Sequence, residues 1–247
     1  MNQNHNRPHL LGLLAGLFLA AGLILSAMVV TRAWLKIAES QSITVTGSAK
    51  RAVVSDLVIW NGSFVAEAPD LHAAQLALKA SQAKVAGFLA KWGITNATYS
   101  PIRIEELRAS LKGADGYVQS RTSGYRLMQS VTVKSEDLPA VQRMDAASTA
   151  LVEDGVLFTP SAPEFIYTKA GEAKVEMLAE ATRDARARAD QIAKQGEARV
   201  AQLRSARMGV FQITPEHSAV TSWEGVSDTT SLNKTITAVV TATFSLK

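Results

Sequence analysis

The chain has no cysteine among its 247 residues, so it can form neither a disulfide nor a thiolate metal site, and it carries no thiol nucleophile. Aromatic residues make up only 6% of it and are scattered, which leaves no base-stacking platform for single-stranded nucleic acid. Histidine is scarce as well. His5 and His9 precede the first apolar run, while His72 and His217 stand far apart in the remainder. No His-Glu-x-x-His spacing occurs, and no Gly-x-Ser-x-Gly elbow accompanies a histidine. The glycine-rich cradles of mononucleotides and dinucleotides are also missing. A surplus of one charge is lacking too: residues 42–247 hold 23 basic and 21 acidic side chains, with no basic stripe. Nucleic acid is therefore not an expected partner, and no cofactor or metal is called for.

What is present begins with residues 10–30, twenty-one residues without a charge. As a helix this run is about 31 Å long, enough to cross a hydrocarbon core. It shows no polar face, as a soluble helix of that length would. Arg7 precedes it, and Arg32, Trp34 and Lys36 follow it, where basic and aromatic side chains settle at headgroups. A cleavable signal normally has a shorter apolar core and a small-residue cleavage site, whereas Thr31, Arg32, Ala33 and Trp34 are bulky and basic. The reading is a signal-anchor helix over 10–30 that contacts membrane lipid, with a cytoplasmic tail over 1–9 and a linker over 31–41. Gly12, Gly16 and Ala20 lie one helical turn apart and form a candidate packing face for a second membrane helix.

The rest predicts an α+β body with mostly antiparallel sheet and three helices, in the order β-β-α-β-β-α-β-α-β-β. Strands are expected over 43–47 and 52–67, with a break at 48–51. A helix follows, capped by Asp70, with Leu71, Ala74, Leu78, Ser81, Val85, Phe88 and Trp92 as its stripe and Gly93 as its stop. Strands near 97–107 and 124–134 flank a loop rich in glycine and serine. A second helix starts after residues 135–137, with Leu138, Val141, Met144 and Ser148 inward. Residues 156–168 read as a strand that Pro160 and Pro163 confine to an edge or a bulge. The longest helix, 171–195, has Val175, Leu178, Thr182, Ala185, Ala189 and Ile192 as its expected buried line, and two i,i+4 ion pairs outside, Asp184–Arg188 and Arg186–Asp190. A strand over 199–213, a polar loop over 214–233 and a final strand over 234–246 complete the chain. In the last strand Ile236, Ala238, Val240, Ala242 and Phe244 point one way without a slip.

Paired carboxylates occur at Glu105–Glu106 and Glu153–Asp154. Strand neighbours point to opposite faces, so the first pair does not converge on one substrate. The second precedes Gly155 and reads as a polar turn.

Several segments in order carry a family likeness: Ile43-Thr44-Val45-Thr46-Gly47, then Leu89-Ala90-Lys91-Trp92-Gly93-Ile94, then Gly124-Tyr125-Arg126 leading into Ser130-Val131-Thr132-Val133. Ala181-Thr182-Arg183-Asp184-Ala185-Arg186-Ala187-Arg188-Ala189 and the threonine- and valine-rich last strand continue it. Over residues 42–247 the chain resembles the SIMPL-domain family. One departure is Lys50-Arg51-Ala52-Val53-Val54-Ser55-Asp56, where the family has acidic and Pro-Asp punctuation. The resemblance implies a bacterial periplasmic or envelope protein linked to oxidative stress defence, and it transfers no catalytic residue.

Together these readings give a single-pass inner-membrane protein whose non-enzymatic body, in the periplasm, works through protein–protein assembly as a homo-oligomer or with an envelope partner. The alternative is an envelope hydrolase or small-ligand-binding protein with a pocket between sheet and helices. Direct scavenging of oxidants has little support, since the chain offers six methionines and no cysteine.

Overall fold

The computed structural model describes residues 8–38, 41–112 and 118–247. The tail ahead of Pro8, with His5 and Arg7, lies outside the described residues, as do positions 39–40 of the expected linker and 113–117 of the expected loop. Along the chain the elements are α1 (Pro8–Ala38), β1 (Ser42–Val54), β2 (Leu57–Ala68), α2 (Leu71–Lys91), β3 (Thr98–Tyr99), β4 (Arg103–Lys112), β5 (Val118–Ser135), α3 (Leu138–Ala147), α4 (Ala150–Glu153), β6 (Leu157–Pro160), β7 (Glu164–Ile166), α5 (Ala170–Gln195), β8 (Val200–Met208), β9 (Gln212–Pro215), β10 (Val226–Ser227) and β11 (Asn233–Leu246). The class is α+β, as the hydrophobic periodicity requires. The body has four helices rather than three, because the one-turn α4 follows α3.

The chain divides into two compact units. The larger comprises Ala49–Ala179 and Val210–Ala238. Its sheet runs β3-β5-β2-β6, with β4 also on β5 and β7 also on β2, all antiparallel. One face of this sheet carries Val58, Trp60, Phe64, Leu127, Val131 and Val133 into a core completed by α2 and α3. Ala74, Leu78, Val85 and Leu89 of α2 and Leu138, Val141 and Met144 of α3 are buried there. Leu71, expected in the stripe, is exposed instead, because it opens the first turn of α2, and Leu89 takes the inward place one turn before the end. Asp70 caps α2 by accepting from the Ala73 N–H (2.9 Å), and Gly93 ends it at φ +76°. Trp60 stacks on Phe158 with centroids 5.8 Å apart, and its indole N–H donates to Asp145 Oδ1 at 2.7 Å. Gly62 makes room for that ring, since a Cβ there would lie 2.2 Å from Phe158.

Three expected strands are divided in the structure. The 156–168 segment divides into β6 and β7 around residues 161–163, both on the outer edge of β2, where proline costs no ladder bond. The 97–107 segment likewise divides into β3 and β4 around Pro101. The expected break at 48–51 is absent. β1 alternates inward and outward through it, and the interruption falls at Ser55 and Asp56. Asp56 ends the strand there by accepting from the Thr168 N–H (2.7 Å) and hydroxyl (2.8 Å). Burial pushes the Asp56 carboxyl up, but the two Thr168 donors outweigh it and hold it below the usual carboxylate range. The 199–213 strand also divides, into β8 and β9, and the expected polar loop holds the short β10, parallel to β9.

The smaller unit consists of the chain up to Ser48, Glu180–Gly209 and Val239–Lys247. Here β11 pairs antiparallel with β8, and Thr44 and Thr46 of β1 meet Thr243 and Thr241 of β11 through their hydroxyls. The buried line of α5 is Ala173 and Met177 in the larger unit and Ala181, Ala185, Ala189 and Ala193 in the smaller, a strict four-residue repeat. The expected line is thus displaced around the helix: Ala185 and Ala189 hold, while Val175 is 72% and Ile192 55% exposed. Beside Gly47, at Ala181 and Ala185, this face is small because the strand beneath comes too close for valine or isoleucine. A Cβ on Gly47 would lie 2.2 Å from the Ala181 carbonyl oxygen and 2.3 Å from the Ala185 nitrogen. The Ser48 N–H donates to Asp184 Oδ2 at 2.8 Å, and Arg188 reaches the same oxygen at 2.9 Å. The second expected pair, Arg186–Asp190, is also present at 4.0 Å.

Gly47→Ala and Gly62→Ala should each cost about 1–3 kcal/mol by overpacking. Only the second should recover when a smaller side chain replaces its neighbour, as in Gly62→Ala with Phe158→Leu, because Gly47 faces backbone. Chemical denaturation of the full chain in detergent measures both.

Candidate functional site

α1 is the most distinctive candidate. Its Gly12–Leu35 stretch is apolar, long enough to span a bilayer, and wholly exposed in the single chain. At about 1.5 Å per residue it extends some 36 Å, against roughly 30 Å of hydrocarbon. The helix does not stop at Val30 but runs on to Ala38, so much of the expected linker is helical. No proline or glycine interrupts residues 31–38, and the last residues carry the helix past the apolar run. Gly12, Gly16 and Ala20 lie on α1, and nothing approaches within 4 Å of where a Cβ on either glycine would stand. Arg32 and Trp34 are exposed on the same helix, while the Lys36 side chain lies outside the described residues. A helix of this kind fits a single-pass membrane anchor or a signal sequence.

In the larger unit the titratable groups pair locally and do not converge. Arg126 donates to Glu67 (2.6 Å) and Glu105 (3.4 Å), and the hydrogen bond and charge of Glu67 raise its already high pKa. Glu106 turns the other way, accepting from the Thr122 hydroxyl and from Arg108 (3.0 Å), and these donors lower its pKa. The two neighbouring glutamates are thus engaged separately, as strand geometry requires. Glu153 ends α4 and Asp154 follows it into Gly155, at φ +78°, making the expected polar turn. His217 is 91% exposed, with Glu216 at 3.9 Å. Among the described residues no three histidines or carboxylates are grouped to hold a metal ion. The surface depressions include one of about 590 Å³ lined by Ser100, Pro101, Ile102, Arg103, Met128 and Ser130, which has no carboxylate or histidine.

One buried polar pair was not anticipated. Lys234 is 1% exposed, and its ammonium donates to Asp228 Oδ2 (3.1 Å) and to the Asp228 carbonyl. Asp228 also accepts from the Thr230 hydroxyl (2.7 Å), the Thr230 N–H (2.9 Å) and the Ser231 N–H (3.2 Å). Burial pushes the carboxyl up, but the Thr230, Lys234 and Ser231 donors outweigh it and hold it far below the usual range. This knot fixes a loop whose carbonyls at Thr229 and Leu232 accept from Phe165 and Ser55. The signal was the parity of β11: Lys234 falls on the same face as Ile236 and Ala238, so it needed a buried partner.

The family described as SIMPL, protein of unknown function (DUF541), matches residues 43–244. The chain belongs to the SIMPL family. That span includes every element from β1 to β11 and leaves α1 outside it. The segments that carried the likeness have architectural work in this SIMPL body. Gly47 and Ala181–Ala189 form the strand–helix approach, Gly93 ends α2, and Arg126 joins two strands. No protein of curated function matches the chain. Among solved structures, an amidase of the hydantoinase/carbamoylase family from Burkholderia phymatum is similar at 13% identity and a TM-score of 0.26, covering 49% of this chain and 32% of that one. A likeness so slight carries no argument about the SIMPL body.

Asp228→Asn leaves the Lys234 ammonium buried without a counter-charge and should cost about 3–5 kcal/mol. Lys234→Met should cost less, because Asp228 keeps its Thr230 and Ser231 donors. The Asp228 pKa is lower folded than unfolded, so its stabilisation is full above the unfolded value of about 4 and is lost as pH falls toward the folded value. The acid-side loss of thermal stability should therefore be shallower in Asp228→Asn than in the parent, as calorimetry between pH 7 and pH 3 measures.

Proposed function

We propose that this SIMPL protein is a single-pass inner-membrane protein whose body stands in the periplasm and acts by assembling with other chains, its own copies or an envelope partner, rather than by catalysis. The observation that carries the reading is the Gly12–Leu35 helix, apolar on all sides as far as Val30 and unburied among the described residues. Such a surface is stable in lipid, where its backbone is satisfied internally and its side chains need no water. The basic and aromatic pair Arg32 and Trp34 suits the membrane interface, and the Gly12, Gly16 and Ala20 face suits close approach of a second helix. A body with two more basic than acidic residues and no cysteine is compatible with export. Any part in oxidative stress defence would run through partners, since the chain lacks a thiol.

The body supplies a surface for such assembly. One face of the β5-β2 sheet, with Ile59, Val65, Met128 and Leu157 among polar neighbours, is half-buried or exposed, whereas the opposite face packs on α2. An antiparallel sheet wet on one side is ordinary in itself, but mixed apolar and charged surface of this kind also forms interfaces.

Photo-crosslinking residues placed at Lys134 and Leu157, on that face, should give discrete adducts in intact envelopes. The same residues at His72 and Lys79 on α2 should give none. Absence of adducts at every position would contradict the assembly reading.

A further inference from the structure

The smaller unit ends in an edge strand that nothing covers. β8 is hydrogen-bonded on one side to β11, from Val240 opposite Met208 to Leu246 opposite Val200. No strand pairs with its other side among the described residues. Gln202 to Val210 are all exposed, so neither face is roofed. From Ser205 to Met208 the register against β11 is unbroken, and the irregularities fall at Arg204 and between Leu203 and Val200. The outward row of N–H and C=O groups is therefore straight where it is most open.

Soluble proteins blunt such edges with lysine, proline, bulges or charges of both signs. This edge has no proline and no acidic residue anywhere in 198–214. The charges within β8 are Arg207, in its regular stretch opposite Thr241, and Arg204, at the bulge between Leu203 and Ser205. Neither makes an ion pair or hydrogen bond within the described residues. Leu203 and Met208 add exposed apolar surface beside them, 47% and 56% accessible. Pairing with the β8 of a second copy would crowd four arginines along one seam, within a screening length of one another. An extended segment bearing carboxylates would instead bring a counter-charge to both arginines.

We infer that the free edge of β8 is a strand-addition site for an extended acidic segment of a partner protein, held by main-chain hydrogen bonds and selected by Arg204 and Arg207. The inference rests on the assembly reading and names the surface and the chemistry of its partner. Affinity comes from the ladder, and the sign of the charge gives specificity.

The test uses the full chain in discs of zwitterionic lipid and a nine-residue peptide of alternating threonine and valine with two glutamates three positions apart. Hydrogen exchange at the β8 amides should slow on adding this peptide. Apparent binding should be roughly tenfold or more weaker for the same peptide with lysines, and for the Arg204→Glu/Arg207→Glu chain with the acidic peptide. The charge-reversed chain should instead accept the lysine peptide, which shows that its edge is still formed. Equal protection by both peptides, or none at β8, overturns the proposal. Protection of β8 by phosphatidylglycerol in the disc but not by the peptide overturns it in favour of a lipid surface. Envelope adducts from a photo-crosslinking residue at Ser205 of β8 that persist unchanged in Arg204→Glu/Arg207→Glu would sink this site while leaving assembly standing. Peptide docking without any envelope adduct would do the reverse.

Discussion

The backbone of β1 at Gly47 touches the backbone of α5 at Ala181 and Ala185, and much of the smaller unit follows from that contact. A side chain at position 47 would require the helix to move away. With glycine there, α5 can present only alanines inward from Ala181 to Ala193, and the Ser48 N–H comes within reach of Asp184. Arg188 holds the same carboxylate, and the Ser48 hydrogen bond, with Arg188 beside it, keeps Asp184 below the usual carboxylate range. Packing, capping and electrostatics therefore agree at one point, which is the mutual consistency expected where a sequence specifies one structure.

Most of the fold could be read in the sequence because the strongest patterns were long. The alternation of 234–246, the Asp70 cap, the Gly93 stop and the inward run Leu138, Val141, Met144 and Ser148 all stand where periodicity puts them. What was misread has a common cause. Hydrophobic size pointed to Val175 and Ile192 on α5, but the buried line runs through Met177 and, where β1 comes close at Gly47, through alanines. A break was expected at 48–51, yet Lys50 points outward and Arg51 reaches Glu176, so the strand continues. These outcomes depend on what lies opposite, which a single sequence does not display. Lys234 is the exception: its parity in β11 already called for a counter-charge, and Asp228 is only six residues away.

The candidate site was legible in a different sense. The apolar run is a property of composition and length, and its extension to Ala38 altered only its end. The family likeness was carried by residues that build the fold, which accounts for its failure to indicate a reaction. Here a glycine permits close approach, another stops a helix, and an arginine pairs across strands. The surface features that bear on partners are the open sheet face and the bare edge of β8. Both arise from which strands find neighbours, and neither leaves a mark in composition.

The account depends on α1 remaining part of the mature protein. Intact mass of the chain extracted from washed membranes tests this most directly. The account predicts a mass that includes residues 10–30, recovered from the bilayer fraction and resistant to carbonate extraction. A soluble species beginning beyond Val30 would contradict it.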